Sequence, residues 1–304
     1  MSTSSVVLLL ILVTTTFADA AEGLFVVQSH DGKLVIARDE KPVAEFVFRD
    51  EKIRRPFFAN VHTPGGVKVT RNHPPQAGDA TDHDTMHPGL WLAFGDINGH
   101  DFWRNKGRIE HVRFLAEPKV HDERLKFTTE TKLVSTEGAP VCRLVSEFMI
   151  TAQPRHYSLI WNSAFHADEG DITFGDQEEM GFGARVATSL TEKNGGVITN
   201  FHGQKTAAKT WGQPAAWCDY SGLNGGITLI GASSNFRESW WHNRDYGVFV
   251  ANPFGRAAMK QGERSAVTVR KGETFHLGFT AVIHDGLNFN VEAAAEAALD
   301  AVDR

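Results

Sequence analysis

Leu125-Lys126-Phe127-Thr128-Thr129-Glu130-Thr131-Lys132-Leu133 alternates without a break: Leu125, Phe127, Thr129, Thr131 and Leu133 share one parity, and Lys126, Thr128, Glu130 and Lys132 the other. A period of two lines one face of an extended chain, so this stretch predicts a strand with one face buried and one in water. Outward from it, apolar or β-branched runs recur at 24–29, 33–37, 43–49, 141–150, 156–165, 226–232, 246–251 and 274–284. Turn signals divide them: Asp31-Gly32, Pro64-Gly65-Gly66, Glu137-Gly138, Asn194-Gly195-Gly196, Asn224-Gly225-Gly226 and Lys271-Gly272. Helical spacing is confined to VEAAAEAALDAVDR at the C-terminus, where Val291, Ala294, Ala295, Ala298, Leu299 and Val302 share one face. Strands without interleaved helices predict an all-β fold, a large antiparallel β-sandwich with a short C-terminal helix, and not a doubly wound α/β sheet.

The chain has 304 residues, 41% hydrophobic and 22% charged, enough for one large core, and no linker or repeat divides it, so residues 21–304 are read as a single domain. Thirty-one basic against 37 acidic residues give a net charge of -6, which leaves no surplus to neutralise a phosphate backbone and excludes nucleic acid as the expected partner. Val6 to Val13 form a short apolar run followed by Ala18-Asp19-Ala20-Ala21, the small-residue pattern of a cleaved export signal. Residues 1–20 are therefore expected to be a signal peptide, and the mature protein periplasmic or extracellular with no membrane partner. A membrane anchor needs about 20 apolar residues, and this run falls short. The two cysteines, Cys142 and Cys218, permit one disulfide, but a chain of this size does not need it, and two buried thiols are expected.

Three polar clusters interrupt the strands. The first is Asp82-His83-Asp84-Thr85-Met86-His87-Pro88-Gly89-Leu90-Trp91, inside a window from 62 to 121 that holds seven of the 14 histidines. His87 has the residue type for proton transfer near neutral pH. His83 and His87 with Asp82 or Asp84 are weaker candidates for a divalent metal, because Pro88 and Gly89 disfavour the helix that would bring both imidazoles to one face. Imidazoles bonded to loop carbonyls are the bland alternative. The second cluster is Gly175-Asp176-Gln177-Glu178-Glu179-Met180-Gly181-Phe182-Gly183-Ala184-Arg185. Alternation puts Glu179, Gly181, Gly183 and Arg185 on one face and Met180, Phe182 and Ala184 on the other, so Glu179 and Arg185 are expected on the open face and Glu178 as a structural carboxylate. The third is Glu238-Ser239-Trp240-Trp241-His242-Asn243-Arg244-Asp245-Tyr246-Gly247, where indoles suit stacking on sugar rings and the polar groups suit hydroxyls. Arg244 with Asp245 also reads as a structural pair. Trp211, Trp217 and Asp219 are further wall candidates. No G-x-S-x-G elbow, P-loop or G-x-G-x-x-G after a strand is present.

Ordered motifs carry a resemblance: Arg55-Pro56-Phe57-Phe58, Thr63-Pro64-Gly65-Gly66, Val69-Thr70-Arg71, His87-Pro88-Gly89-Leu90-Trp91, Gly95-Asp96-Ile97-Asn98-Gly99, Asp101-Phe102-Trp103, Gly107-Arg108-Ile109, Glu178-Glu179-Met180-Gly181, Arg244-Asp245-Tyr246-Gly247 and Asn252-Pro253-Phe254-Gly255. Over nearly the whole mature chain they resemble an exported bacterial family labelled methane oxygenase, PmoA type. The resemblance implies a β-sandwich found in bacteria that degrade polysaccharides. Family members often read His-His before the Gly-Leu-Trp element, whereas Met86-His87 stands here, which weakens metal binding at this loop.

A sandwich similar to the galactose-mutarotase supersandwich is expected, acting on or binding a saccharide or sugar-derived small molecule without a cofactor. His87 is assigned as proton donor, Glu179 as base, Arg185, His242, Arg244 and Asp245 as binders, and Trp91 and Trp241 as stacking platforms. An isomerase, lyase or hydrolase fits this set. The alternatives are a glycan-binding module without catalysis, and a metal-dependent oxygenase or hydrolase using His83 and His87.

Overall fold

Leu125, Phe127, Thr129, Thr131 and Leu133 are all buried along a strand, Arg124–Val134, as their parity predicts. The computed structural model describes residues 24–286 and 289–302, so the expected signal peptide lies outside the described residues. In chain order the strands are β1 (Phe25–His30), β2 (Lys33–Arg38), β3 (Lys41–Val47), β4 (Phe57–Ala59), β5 (Leu90–Phe94), β6 (Arg108–His121), β7 (Arg124–Val134), β8 (Pro140–Gln153) and β9 (His156–His166). They continue as β10 (Ile172–Phe174), β11 (Met180–Arg185), β12 (Val197–Asn200), β13 (Trp217–Ser221), β14 (Gly225–Gly231), β15 (Trp240–Trp241), β16 (Val248–Asn252), β17 (Val267–Val269) and β18 (Thr274–Asp285). The helices are the single turn α1 (Ala207–Thr210) and α2 (Val291–Val302).

Two eight-stranded antiparallel sheets stack face to face, one ordered β1-β2-β3-β4-β5-β11-β16-β15 and the other β12-β13-β14-β18-β9-β8-β7-β6, with a β10-β17 ribbon beside them. The expected all-β sandwich with a short C-terminal helix is the observed architecture. Between the sheets lies one continuous apolar layer, in which Phe46, Phe58, Phe127, Phe148 and Trp161 pack ring against ring at 4.7 to 6.5 Å. Burying each such ring contributes about 1.5–3 kcal/mol.

The first sheet has a second apolar layer on its outer side, where Phe57, Trp91, Ala93, Trp103, Val248 and Val250 are covered by loops. Every residue of β5, β11 and β16 is buried in consequence. Strands covered on both faces lose the apolar-polar alternation that marks a half-exposed strand, and β5 (LWLAF) shows none. On the second sheet α2 lays Ala295 and Ala298 over Trp217, Ile230 and Val282, the face its periodicity predicts. The side chain of Val302, placed on that face from sequence, lies outside the described residues. The sheet ends at β6, a free edge whose pairing with β7 shifts register at His111/Arg113, Phe114/Ala116 and Ala116/Lys119. Those shifts put Val112 and Leu115 out in solvent, 48% and 46% exposed, and scramble the alternation from which β6 would have been predicted. Cys142 and Cys218 are free and buried, as expected. Burial pushes the Cys142 thiol up to about 12.

Candidate functional site

Alternation places Met180, Phe182 and Ala184 of β11 in the layer between the sheets and leaves Gly181, Gly183 and Arg185 on the outer face. Both glycines are required there. Gly181 has φ +113, and a Cβ on it would meet the Ala251 carbonyl oxygen at 2.1 Å; a Cβ on Gly183 would lie 2.7 Å from the Trp91 ring. The indole of Trp91 thus rests directly on the strand.

Three buried arginines draw the loop at 72–89 onto this face. Arg55 donates to the carbonyl oxygens of Trp103, at 2.8 Å, and Met86. Arg71 donates to those of Ala80, Asp82 and His87 at 2.9, 2.7 and 2.9 Å. Arg185 holds the Asp82 carboxylate with both arms, at 2.9 and 3.0 Å, and lays its guanidinium 4.7 Å from the centre of the Tyr246 ring. Against the cost of partial burial, Arg185 brings the Asp82 carboxyl down to about 2. Guanidinium groups suit this role because their five donors satisfy several carbonyls at once.

The loop presents two imidazoles. His83 is at the surface with φ +50, its Nδ1 3.2 Å from Asp82 Oδ2 and its ring stacked 6.3 Å from Tyr246. A carboxylate only accepts, so Nδ1 carries a proton, and Nε2 makes no hydrogen bond among the described residues. His87 lies flat on Trp91 at 5.1 Å and 15°, with Trp103 edge-on at 5.7 Å and His83 at 5.2 Å. Burial, and then the positive charge of Arg185, push His87 well below the usual imidazole range, so it is neutral near pH 7. That changes its expected role: burial and the neighbouring guanidinium, which disfavour the imidazolium, make His87 a poor proton donor.

Beside this loop Glu178 Oε2 sits 2.6 Å from Arg244 Nη2 and 3.0 Å from His242 Nδ1. His242 first, and Arg244 with it, hold the Glu178 carboxyl below its usual value. Glu179 turns instead to Arg104, 2.8 Å away. Both carboxylates are thus engaged in ion pairs just ahead of β11, Glu178 as the structural carboxylate expected and Glu179 with Arg104, the neighbour of Trp103 in the outer layer.

Other assignments need correction. Trp91 is no stacking platform: it is fully buried, with His87 on one side and Gly183 against its ring. Trp241 points into the layer between the sheets and donates from Nε1 to the Ala215 carbonyl at 2.9 Å. Asp245 does not pair with Arg244; it is exposed, and its carbonyl accepts from Tyr220 Oη at 3.0 Å. Arg185 is 2% exposed and its fork is filled by Asp82, so it is not free to clasp a ligand itself. Trp217 and Asp219 belong to the second sheet, Trp217 under α2 and Asp219 bonded to His284 Nε2 at 2.9 Å. Trp211 does lie by the cluster, with Arg244 6.0 Å and Lys260 5.5 Å from its ring centre.

Between the loop and the segment at 188–194 opens a pocket of about 370 Å³, lined by Asp82, Arg185, Thr188, Thr191, Lys193 and Tyr246 among others. Among the described residues no three His, Cys, Asp or Glu side chains gather as metal ligands, and the rings of His83 and His87 are turned to Asp82 and Trp91. The donor set therefore does not fit the divalent metal weighed from the sequence.

The sequence model of DUF6807, a family of unknown function, matches residues 33–299, from β2 into α2. The chain belongs to that family. No curated protein matches this DUF6807 chain. Among solved structures it is similar to a galactose mutarotase-like protein from Lactobacillus casei, at 10% identity and TM-score 0.39, covering 86% of this chain and 100% of that one. A GalM/aldose epimerase homologue from C. elegans gives 8% identity and TM-score 0.37 over 86% and 99%. A β-arabinopyranosidase gives 9% and 0.36, over 86% of this chain and 38% of that one. Likeness at this level adds nothing about the chemistry of the DUF6807 site.

Proposed function

We propose that this DUF6807 protein is exported and that it binds a saccharide or sugar-derived small molecule in the Asp82–Arg185–Tyr246 pocket and acts on it by acid–base chemistry. The observation that carries the reading is the placement of Asp82. One carboxylate, held by a buried arginine, lines a pocket whose volume of about 370 Å³ lies within the range of small-molecule sites, and the same carboxylate fixes the tautomer of the adjacent surface imidazole of His83. His83 Nε2 is the group placed to accept a proton from substrate and return it, while Asp82 stabilises the imidazolium that forms between the two steps. The Lys193 ammonium and the Asp82 carboxylate, which line the same pocket, supply a donor and an acceptor for the hydroxyls of a polyhydroxylated ring. The resemblance to the PmoA-labelled family enters through position: Arg55, Arg71, His87, Trp91, Glu178 and Arg244, drawn from its motifs, all belong to this outer face.

A thermal-shift screen against mono- and oligosaccharides tests the reading. Ligand at 100 times its dissociation constant adds about 2.7 kcal/mol, a rise of roughly 5–10 °C for a domain of this size. The rise is expected in the wild type and absent in Tyr246→Ala and in His83→Ala, the latter with an unliganded midpoint close to the wild type. Absence of any sugar-dependent rise, or its survival in both variants, overturns the proposal. A sugar that binds but whose NMR spectrum is unchanged over hours leaves binding without catalysis.

A further inference from the structure

The sandwich core contains a row of hydroxyls where its neighbouring row is aromatic. Thr129 of β7, Ser146 of β8 and Ser163 of β9 stand opposite one another across the ladders, two residues along from the row Phe127, Phe148 and Trp161. Each of the three is no more than 3% exposed. Ser146 and Ser163 bond to each other at 3.2 Å, and nearby Thr131 donates to the Leu144 carbonyl at 3.3 Å. Two polar atoms in this region have no protein partner: Thr129 Oγ1 and Trp161 Nε1. Both residues line the same small cavity, together with Ser146, Leu92 and Pro56.

Its free volume of about 10 Å³ is close to what one water molecule requires, and a buried water typically makes two to four hydrogen bonds. An apolar cavity of this size would stay dry; this one carries a donor, Trp161 Nε1–H, and two hydroxyls that each donate and accept. Leaving an indole N–H and a hydroxyl unpaired in a core is costly, whereas a single water between them satisfies both. We propose that one ordered water is bound in this cavity, accepting from Trp161 Nε1–H and bonded to the hydroxyls of Thr129 and Ser146. It sits inside the sandwich against Leu92 of β5, whose neighbour Trp91 carries His87 on the opposite face. It is thus part of the packing beneath the candidate site.

A high-resolution crystal structure is expected to show a water peak within hydrogen-bond reach of both Thr129 Oγ1 and Trp161 Nε1. In solution the Trp161 indole proton is expected to show a long-lived contact to water in a water-selective NMR experiment. Thr129→Val, which keeps the shape and removes the hydroxyl, should weaken that contact and shift the indole resonance. A cavity without density, an indole N–H bonded to a protein carbonyl, or an indole resonance unmoved by Thr129→Val overturns the inference. Should Thr129→Val not fold, the wild-type density decides by itself.

Discussion

Two aspartate–histidine pairs occupy opposite sheets of this molecule and differ in almost every respect except residue type. Asp219 and His284 are 7% and 2% exposed at their side chains and 2.9 Å apart. Thr228 donates to the same aspartate, His284 Nδ1 is bonded to the Asp285 carbonyl at 2.9 Å, and Phe289 stacks on the imidazole at 4.3 Å. Every polar atom of that imidazole is used. Asp82 and His83 are 40% and 46% exposed, 3.2 Å apart, and only one nitrogen of the imidazole is engaged. A saturated pair under a ring can hold strands together but has no atom left to offer a ligand. The open pair offers Nε2 and rests on a buried arginine, which is how a proton-transfer group is kept in place without being shut in.

The largest test of this contrast is His284→Ala. Removing one partner leaves the Asp219 charge buried, which costs about 3–5 kcal/mol, read as a fall of roughly 6–15 °C in the midpoint. A fall of only a degree or two would break the comparison. The pH dependence comes next in size. His284 has its value raised above the ordinary imidazole range by Asp219, in spite of burial. Its contribution is therefore fully present below about pH 6.5 and is lost as the pH rises through the higher folded value. Denaturation midpoints recorded from pH 6 upward should show that loss in the wild type and a flatter profile in His284→Gln.

The exposed pair should show a smaller effect of opposite sign. Asp82 lies near 2 when folded against an ordinary 3.8, so its contribution is present above that ordinary value and disappears as the pH falls through the folded one. Because Asp82 is substantially exposed, solvent screening keeps this acid limb shallow. Asp82→Asn should flatten it in acid denaturation and remove the sugar-dependent response. Smallest of all in stability is His83→Ala, expected within about 0.5 kcal/mol of wild type although it removes the proton-transfer group. Destabilisation by His83→Ala as deep as by His284→Ala would make both pairs structural.

Strands whose outer face meets water were legible from the sequence, because a solvated face forces the period-two pattern seen at 125–133. β5 was not, since its five residues show no alternation and follow directly on the polar loop that was read as one segment with them, and β6 was not, since its register shifts destroy the period. The same physics divides the site. The polar loop at 82–91 stood out by composition. That Arg55 and Arg71 are the residues tying it down did not, because their partners are mostly main-chain carbonyls, which leave no trace in side-chain patterns. The tryptophans misled for a related reason: an indole looks the same whether it faces a sugar or is packed beneath a histidine.

The irregular pairing of β6 bears on what its free edge can offer another chain. A free sheet edge is a template on which another chain can lay a strand, and a long one with exposed Val112 and Leu115 is at first sight an invitation to polymerise. Three breaks in register, with Pro118 inside the last of them, deny any incoming strand an unbroken run of donors and acceptors. The irregular ladder at this margin thus makes β6 a poor template for edge-to-edge growth, whatever the protein concentration.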